Sequence, residues 1–115
     1  MFSILETNVT IMVKDMAKSI SFYKNVLGFS LIRQYGEHYA QVSAPGIIIG
    51  LHPSKSGSNT TDHIQIGFTV DNMSSAKEKL EKNTIALTER SEEGGKFIHF
   101  KDPDGTPLYF IDPKR

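Results

Sequence analysis

The chain contains an internal repeat, and this repeat limits the possible folds more than any other feature. The segment Asn8–Met16 aligns without a gap with Gln65–Met73. Apolar residues fill the same places in both copies, at 9, 11, 13 and 16 in the first and at 66, 68, 70 and 73 in the second. Such self-similarity predicts two copies of one supersecondary unit.

Each copy has the pattern of a strand, a helix and three further strands. Alternation over 7–13 predicts the first strand, Asp15 is a plausible N-cap, and Gly28 suits the left-handed residue that ends a helix. A second helix is predicted from Met73 to Asn83. The other predicted strands lie at 29–35, 38–43, 47–52, 63–70, 84–90, 96–101 and 106–112.

The predicted fold class is α+β, with two βαβββ modules in tandem. We expect one domain over 1–115, made of a first module at 1–52, a Gly- and Ser-rich linker at 53–61 and a second module at 62–115. The β-branched and aromatic face of each first strand should pack on the helices, because burying each such side chain contributes about 1.5–3 kcal/mol. The opposite, more polar face should line a partly wet hollow.

Composition narrows the classes of partner. Thirteen basic and thirteen acidic residues cancel, so nothing favours nucleic acid or an anionic membrane. The chain has no Cys, which removes disulfides and thiolate sites and suits a reducing compartment. No long apolar run or secretory signal is visible, so the expected location is the cytoplasm.

Two motifs resemble one known superfamily. The segment Val13–Phe29 is similar to the first strand-to-helix signature of the vicinal oxygen chelate superfamily, and Phe100–Leu108 is similar to its last hairpin. This superfamily includes glyoxalases, bleomycin-binding resistance proteins, fosfomycin-resistance transferases and extradiol dioxygenases. The resemblance implies paired modules whose mixed sheets curve into a cup with the helices outside. It also implies a small-molecule ligand and a homodimer.

The metal-binding positions of this superfamily carry other residues here. Metal-dependent members hold a divalent cation with a His on each first strand and a Glu on the last strand. Counted from the matched motifs, these positions are Asn8, Gln65 and Tyr109. Amide oxygens bind such metals weakly, and a phenol must first lose its proton. No cofactor is therefore expected, and a divalent metal is disfavoured. A register slip of two residues would instead pair Glu6 with His63.

Several side chains on the predicted hollow are candidates for ligand binding. His99 is the best candidate for a catalytic residue, because an imidazole can exchange protons near neutral pH. A structural His bonded to a neighbouring strand is the alternative, as is a mutual bond between the amides of Asn8 and Gln65. Phe97 matches Tyr39 and could add an aromatic wall to the hollow beside Tyr39 and Tyr109, although ordinary core packing is favoured for it. The predicted ligand-binding residues are Asn8, Thr10, Met12, Tyr39, Gln41, Gln65, His99 and Tyr109.

These residues support two main hypotheses about function. The first is a metal-free protein that binds a small, neutral, partly aromatic molecule in the cup. The second is a metal-dependent lyase or dioxygenase of the glyoxalase type with atypical ligands. The residues leave open whether the protein is an enzyme; a glyoxalase-like lyase or a related oxidoreductase or transferase would fit. Arg33 and Arg90 match across the copies and could hold a carboxylate at the rim or protect sheet edges.

Overall fold

The computed structural model of the protein describes residues 3–5, 7–54, 64–92 and 95–113. Most of the predicted linker, residues 55–61, lies outside these residues. Glu6 and His63, the alternative metal-binding pair, both lie outside them as well. In chain order the elements are β1 (Asn8–Val13), α1 (Met16–Ser21), a π-helix (Phe22–Val26), β2 (Ser30–Tyr35), β3 (Tyr39–Ala44), β4 (Ile47–Pro53), β5 (Ile66–Thr69), α2 (Met73–Lys82), β6 (Thr88–Glu92), β7 (Gly95–Lys101) and β8 (Pro107–Pro113).

The chain divides into two compact units, Met1–Asn59 and Thr60–Arg115. Each unit contains one four-stranded sheet, with the order β1-β4-β3-β2 in the first and β5-β8-β7-β6 in the second. In both sheets the first strand is parallel to the last, and the remaining pairs are antiparallel. The predicted α+β class and the tandem βαβββ modules are therefore confirmed.

The first module buries the face of β1 that its apolar residues predict. Ile11 and Val13 are buried, whereas Asn8, Thr10 and Met12 on the alternate face are exposed. Helix α1 packs against β3 and β4, whose buried residues complete this core. We call the sheet face opposite the buried residues the polar face of the module.

The first helix differs from its predicted regular form. Helix α1 begins at the expected N-cap, where the Asp15 carboxylate accepts a hydrogen bond from the Lys18 N–H at 3.0 Å. It then widens into the π-helix, in which the Leu27 N–H donates to the Phe22 carbonyl at 3.2 Å. The wider turn places both Phe22 and Tyr23 in the core, with ring centroids 5.2 Å apart. Gly28 ends it at φ 78°, as predicted.

The second module forms its core between α2 and the buried face of β7 and β8. Asn72 caps the helix by accepting a hydrogen bond from the Ser75 N–H at 2.9 Å. Leu80 is fully buried, and α2 packs on β8. The phenyl rings of Phe100 and Phe110 lie 4.6 Å apart beneath the sheet. The helix therefore covers one face of this sheet and leaves its polar face uncovered by α2.

Strand β6 begins later than predicted. Thr84 has a positive φ of 58°, and the Ile85 N–H donates back to the Leu80 carbonyl at 3.0 Å. This turn keeps residues 85–87 out of the β ladder, so the strand predicted at 84–90 starts at Thr88. Positive φ is uncommon for a β-branched residue, which explains why the sequence pattern did not indicate it.

The turn between β7 and β8 is held by one carboxylate. Asp102 Oδ1 accepts hydrogen bonds from the Asp104 N–H at 2.9 Å and from the Thr106 N–H at 2.8 Å. Gly105 supplies the left-handed residue with φ 88°. The segment therefore forms a hairpin turn, as its resemblance to the last hairpin of the superfamily predicts. None of the helices in the described ranges has both the length and the apolarity needed to cross a membrane.

Candidate functional site

The polar face of the first module carries a row of paired residues across its sheet. Register places Thr10 on β1 beside Gly50 on β4, Gly50 beside Gln41 on β3, and Gln41 beside Arg33 on β2. We call these four residues the first-module row. Residues directly opposite each other in a ladder share a face, so their side chains project to the same side of the sheet.

Two predicted ligand-binding residues are joined in this module. Gln41 is only 8% exposed, and its Nε2 donates to Tyr39 Oη at 2.9 Å. The bond fixes the orientation of both side chains, because a buried amide that loses its partner costs about 1–3 kcal/mol. The phenol and the amide therefore form one preorganised polar unit on β3.

Gly50 makes room for the Tyr39 phenol. A methyl group at Gly50 would lie 2.7 Å from Tyr39 Oη and 2.9 Å from Thr10 Oγ1. The phenol hydroxyl and the Thr10 hydroxyl therefore both approach the Gly50 backbone, which a side chain would prevent. Gly50 was not among the predicted site residues, although a glycine inside a strand often marks such a close approach.

Met12, another predicted ligand-binding residue of the first module, lies near the end of β1 and beside the end of β4. Met12 is 38% exposed and pairs with His52, which places His52 on the polar face. The sequence did not determine the orientation of His52. Its Nδ1 lies 2.9 Å from the Pro53 carbonyl oxygen.

The two predicted amides are both exposed, Asn8 in the first module and Gln65 in the second. Neither amide therefore carries the free-energy cost of being buried without a hydrogen-bond partner.

The polar face of the second module has an equivalent row with different residues. Gly67 on β5 pairs with Tyr109 on β8, Tyr109 with His99 on β7, and His99 with Thr88 on β6. We call these four residues the second-module row. His99 and Tyr109, both predicted as ligand-binding residues, lie side by side with ring centroids 5.7 Å apart.

Phe97 belongs to the same cluster, so it forms the aromatic wall that was one of its two predicted roles, and the core position that was favoured for it is wrong. Its ring lies 6.1 Å from that of His99, nearly parallel at 15°, and 5.9 Å from that of Tyr109. The alternation of β7 explains the difference, because Ile98 and Phe100 occupy the buried face and leave Phe97 and His99 on the other. We call Phe97, His99 and Tyr109 the ring cluster; all three are half-buried.

Gly67 allows the Tyr109 ring to lie against the backbone of β5. A methyl group at this position would collide with Tyr109 Cζ, Oη and Cε2. Gly67 therefore determines how closely the Tyr109 phenol approaches the sheet, and hence how far the ring cluster projects from the sheet. Gly67 was not among the predicted site residues.

The two arginines lie on the polar faces but are not equivalent. Arg33 pairs with Gln41, whereas Arg90 pairs with Phe97, one row away from the matching position at Thr88. Strand β2 also has an irregularity in its pairing between Leu31 and Arg33, whereas the described pairs of β6 with β7 run without a shift. Both arginines are exposed on the outermost strand of their sheet.

The donor set does not fit the divalent metal that the resemblance implies. Asn8, Gln65 and Tyr109 offer two amides and a phenol in place of two imidazoles and a carboxylate. The Tyr109 ring is also packed against Gly67. Within residues 3–5, 7–54, 64–92 and 95–113, no three His, Asp or Glu side chains are grouped so that they could hold a metal ion.

Known proteins resemble this chain in sequence. MhqE of Bacillus subtilis (strain 168), named as a candidate ring-cleaving dioxygenase, is 30% identical over 121 residues. The metallothiol transferase FosB of Lysinibacillus sphaericus (strain C3-41) is 29% identical over 106 residues. These alignments include 91% and 85% of this chain, which spans 40% of the length of MhqE and 74% of that of FosB.

Solved structures share the fold over nearly the whole chain. The fosfomycin resistance protein FosX from Listeria monocytogenes superposes with a TM-score of 0.81 at 22% identity, over 99% of this chain and 96% of that one. The antibiotic-binding protein TnmS3 from Streptomyces sp. CB03234 gives 0.77 at 21% identity, over 99% of each chain. The sequence profile of one family matches residues 7–110. The chain therefore belongs to the Glyoxalase/Bleomycin resistance protein/Dioxygenase superfamily.

Proposed function

We propose that this protein binds a small, neutral, partly aromatic molecule, and that the polar face of the second module provides the binding surface. The ring cluster is the observation that carries the proposal. Three aromatic side chains lie beside one another on the polar face of the second-module sheet. They are half-buried there and do not pack in the core on the other face of the sheet. A ligand ring placed edge-on or offset against such rings gains about 0.5–1.5 kcal/mol per contact beyond its area burial.

The polar face of the first module, taken by itself, also offers hydrogen-bonding groups to a small neutral molecule. The bond from Gln41 to Tyr39 uses one of the two amide protons, so the second proton and the carbonyl oxygen can bind a ligand. Apart from Arg33 and His99, the residues of the two rows carry no charged group; they are Thr10, Gly50, Gln41, Gly67, Tyr109 and Thr88. A neutral ligand suits these positions because it brings no unpaired charge into a partly dry site.

The relatives support this proposal and a competing one. TnmS3 is titled an antibiotic-binding protein, whereas FosB is named as a transferase. Because the donor set here does not fit a divalent metal, we place binding before a metal-dependent lyase or dioxygenase. His99 could still transfer protons in a metal-free reaction, since it lies beside Tyr109 on the accessible face. We further propose that the protein is a cytoplasmic homodimer.

Titration calorimetry against a panel of neutral aromatic metabolites and antibiotics tests the proposal. We expect at least one compound to bind, and Tyr109→Ala to weaken it more than tenfold because a ring of the cluster is lost. Tyr35→Phe is the matched control, since Tyr35 is 58% exposed on β2. Failure of the whole panel to bind would contradict the proposal. Stoichiometric Zn, Ni, Mn or Fe in protein purified without chelator would favour the enzyme instead.

A further inference from the structure

A pocket of about 430 Å³ lies at one end of the second-module sheet, beside the ring cluster. Its volume is within the range of about 300–1,000 Å³ that small-molecule sites occupy. Three parts of the second module form it: the connection between α2 and β6 with the start of β6, the end of β7, and the start of β8. The lining residues are Ile85, Ala86, Leu87, Thr88, His99, Phe100, Lys101, Pro107 and Leu108.

The late start of β6 creates this pocket. The backbone turn at Thr84 carries residues 85–87 away from the ladder, so they form a wall next to β7 and β8 rather than another stretch of strand. The first module has a shorter connection at the same place, residues 27–29 between the π-helix and β2. The connection that forms this wall is therefore a local difference between the two modules.

The walls and the charge of the pocket select a particular chemistry. Ile85, Leu87 and Pro107 are half-buried and provide apolar surface for a ring-sized group. Of the residues that the structure describes, none that lines the pocket is acidic. Lys101 lies at its edge opposite Pro107, is exposed, and has no ion-pair partner among the described residues. An ammonium group beside apolar walls favours a ligand that combines an apolar body with one negative charge.

We propose that this pocket binds a small aromatic or aliphatic monocarboxylate, with its apolar body against residues 85–87 and its carboxylate at Lys101 Nζ. The Thr88 hydroxyl is a further donor in the lining. This site borders the ring cluster at His99 but requires neither Phe97 nor Tyr109. It therefore goes beyond the neutral-ligand function proposed above and does not depend on it.

Three probes with one body and different charges test the site: phenylacetate, phenylacetamide and phenethylamine. Each is titrated into ¹⁵N-labelled protein at about pH 8, where ordinary imidazoles are neutral and Lys is charged. We expect phenylacetate to shift the amide signals of residues 86–88 and 101 at the lowest concentration, the amide to bind more weakly, and the amine to bind weakest. Equal affinities for the three probes, or no shift at these amides, would overturn the proposal.

Two lysine variants on the same strand separate the pocket from general surface charge. Lys101→Gln should weaken phenylacetate binding about threefold to fivefold, the range expected for an exposed ion pair, and leave phenylacetamide unchanged. Lys96→Gln is the matched control, because Lys96 is exposed on β7 outside this pocket and should have no effect. Equal effects of the two variants would also overturn the proposal. Shifts confined to Phe97 and Tyr109 would support the ring cluster and not this pocket.

Discussion

The two modules share one topology but build their polar faces in opposite ways. In the first-module row the glycine is Gly50 on the last strand, and the Tyr39 phenol from the neighbouring strand covers it. In the second-module row the glycine is Gly67 on the first strand, and the phenol of Tyr109 on the last strand covers it. In each module one phenol lies against the sheet where a glycine leaves room for it. The glycine is on the last strand of the first module and on the first strand of the second.

The exchange also gives the two faces different chemistry. Gln41 and His99 occupy equivalent places, each beside the last strand of its module. Gln41 bonds to a phenol and makes the first face a hydrogen-bonding surface. His99 instead lies beside two aromatic rings, each within about 6 Å of it and of each other, and the second face is a stacking surface. One fold therefore provides two complementary kinds of contact from a repeated unit.

The largest effect is expected from Gly67→Ala. The added methyl group would collide with the Tyr109 ring, so we expect the free energy of unfolding to fall by about 2–3 kcal/mol. Chemical denaturation measures this change. The control is the same substitution in a Tyr109→Ala background, where the methyl group has room and the cost should nearly disappear. The same cost in both backgrounds would show that the ring does not lie on Gly67.

A smaller effect is expected from Gly50→Ala. The methyl group meets the tip of the Tyr39 phenol and the Thr10 hydroxyl, which can move aside more easily than a whole ring. We expect a loss of about 1 kcal/mol, again measured by chemical denaturation. Combining it with Tyr39→Ala should remove most of the loss. A larger loss of unfolding free energy for Gly50→Ala than for Gly67→Ala would contradict the predicted order of the two effects.

Tyr39→Phe tests the hydrogen bond that distinguishes the first face. The variant leaves the buried Gln41 amide without its phenol partner, so we expect a loss of about 1 kcal/mol in unfolding free energy. Tyr35→Phe, at the exposed position opposite on β2, should change it by less than about 0.5 kcal/mol. Indistinguishable values for the two variants would mean that the bond contributes nothing to stability.

The smallest effect concerns the edge of the second sheet. Lys77 on α2 lies 3.2 Å from the Glu89 carboxylate on β6, and both side chains are partly exposed. We expect Glu89→Gln to cost less than about 0.5 kcal/mol, and the cost to vanish at high salt because solvent ions screen such a pair. Glu78→Gln breaks a comparable pair within α2 and serves as the control. A loss that persists in salt would indicate a role other than charge.

The sequence predicts the element order, the capping residues and the buried faces because these follow from local periodicity and from the repeat. It could not predict the turn at Thr84, since a positive φ at a β-branched residue has no local signature. Arg33 and Arg90 align in the repeat, but they lie in different rows because β2 and β6 pair with their neighbours in different registers. The roles of Gly50 and Gly67 depend on rings from other strands, so only three-dimensional contacts reveal them.

The ring cluster is the proposed surface on which a neutral, partly aromatic ligand binds. Intermolecular nuclear Overhauser effects, recorded on the complex with the tightest compound of the neutral panel, test it most directly. We predict contacts between the ring protons of the ligand and those of Phe97, His99 and Tyr109. A ligand that binds tightly and shows contacts only to other residues would contradict the claim.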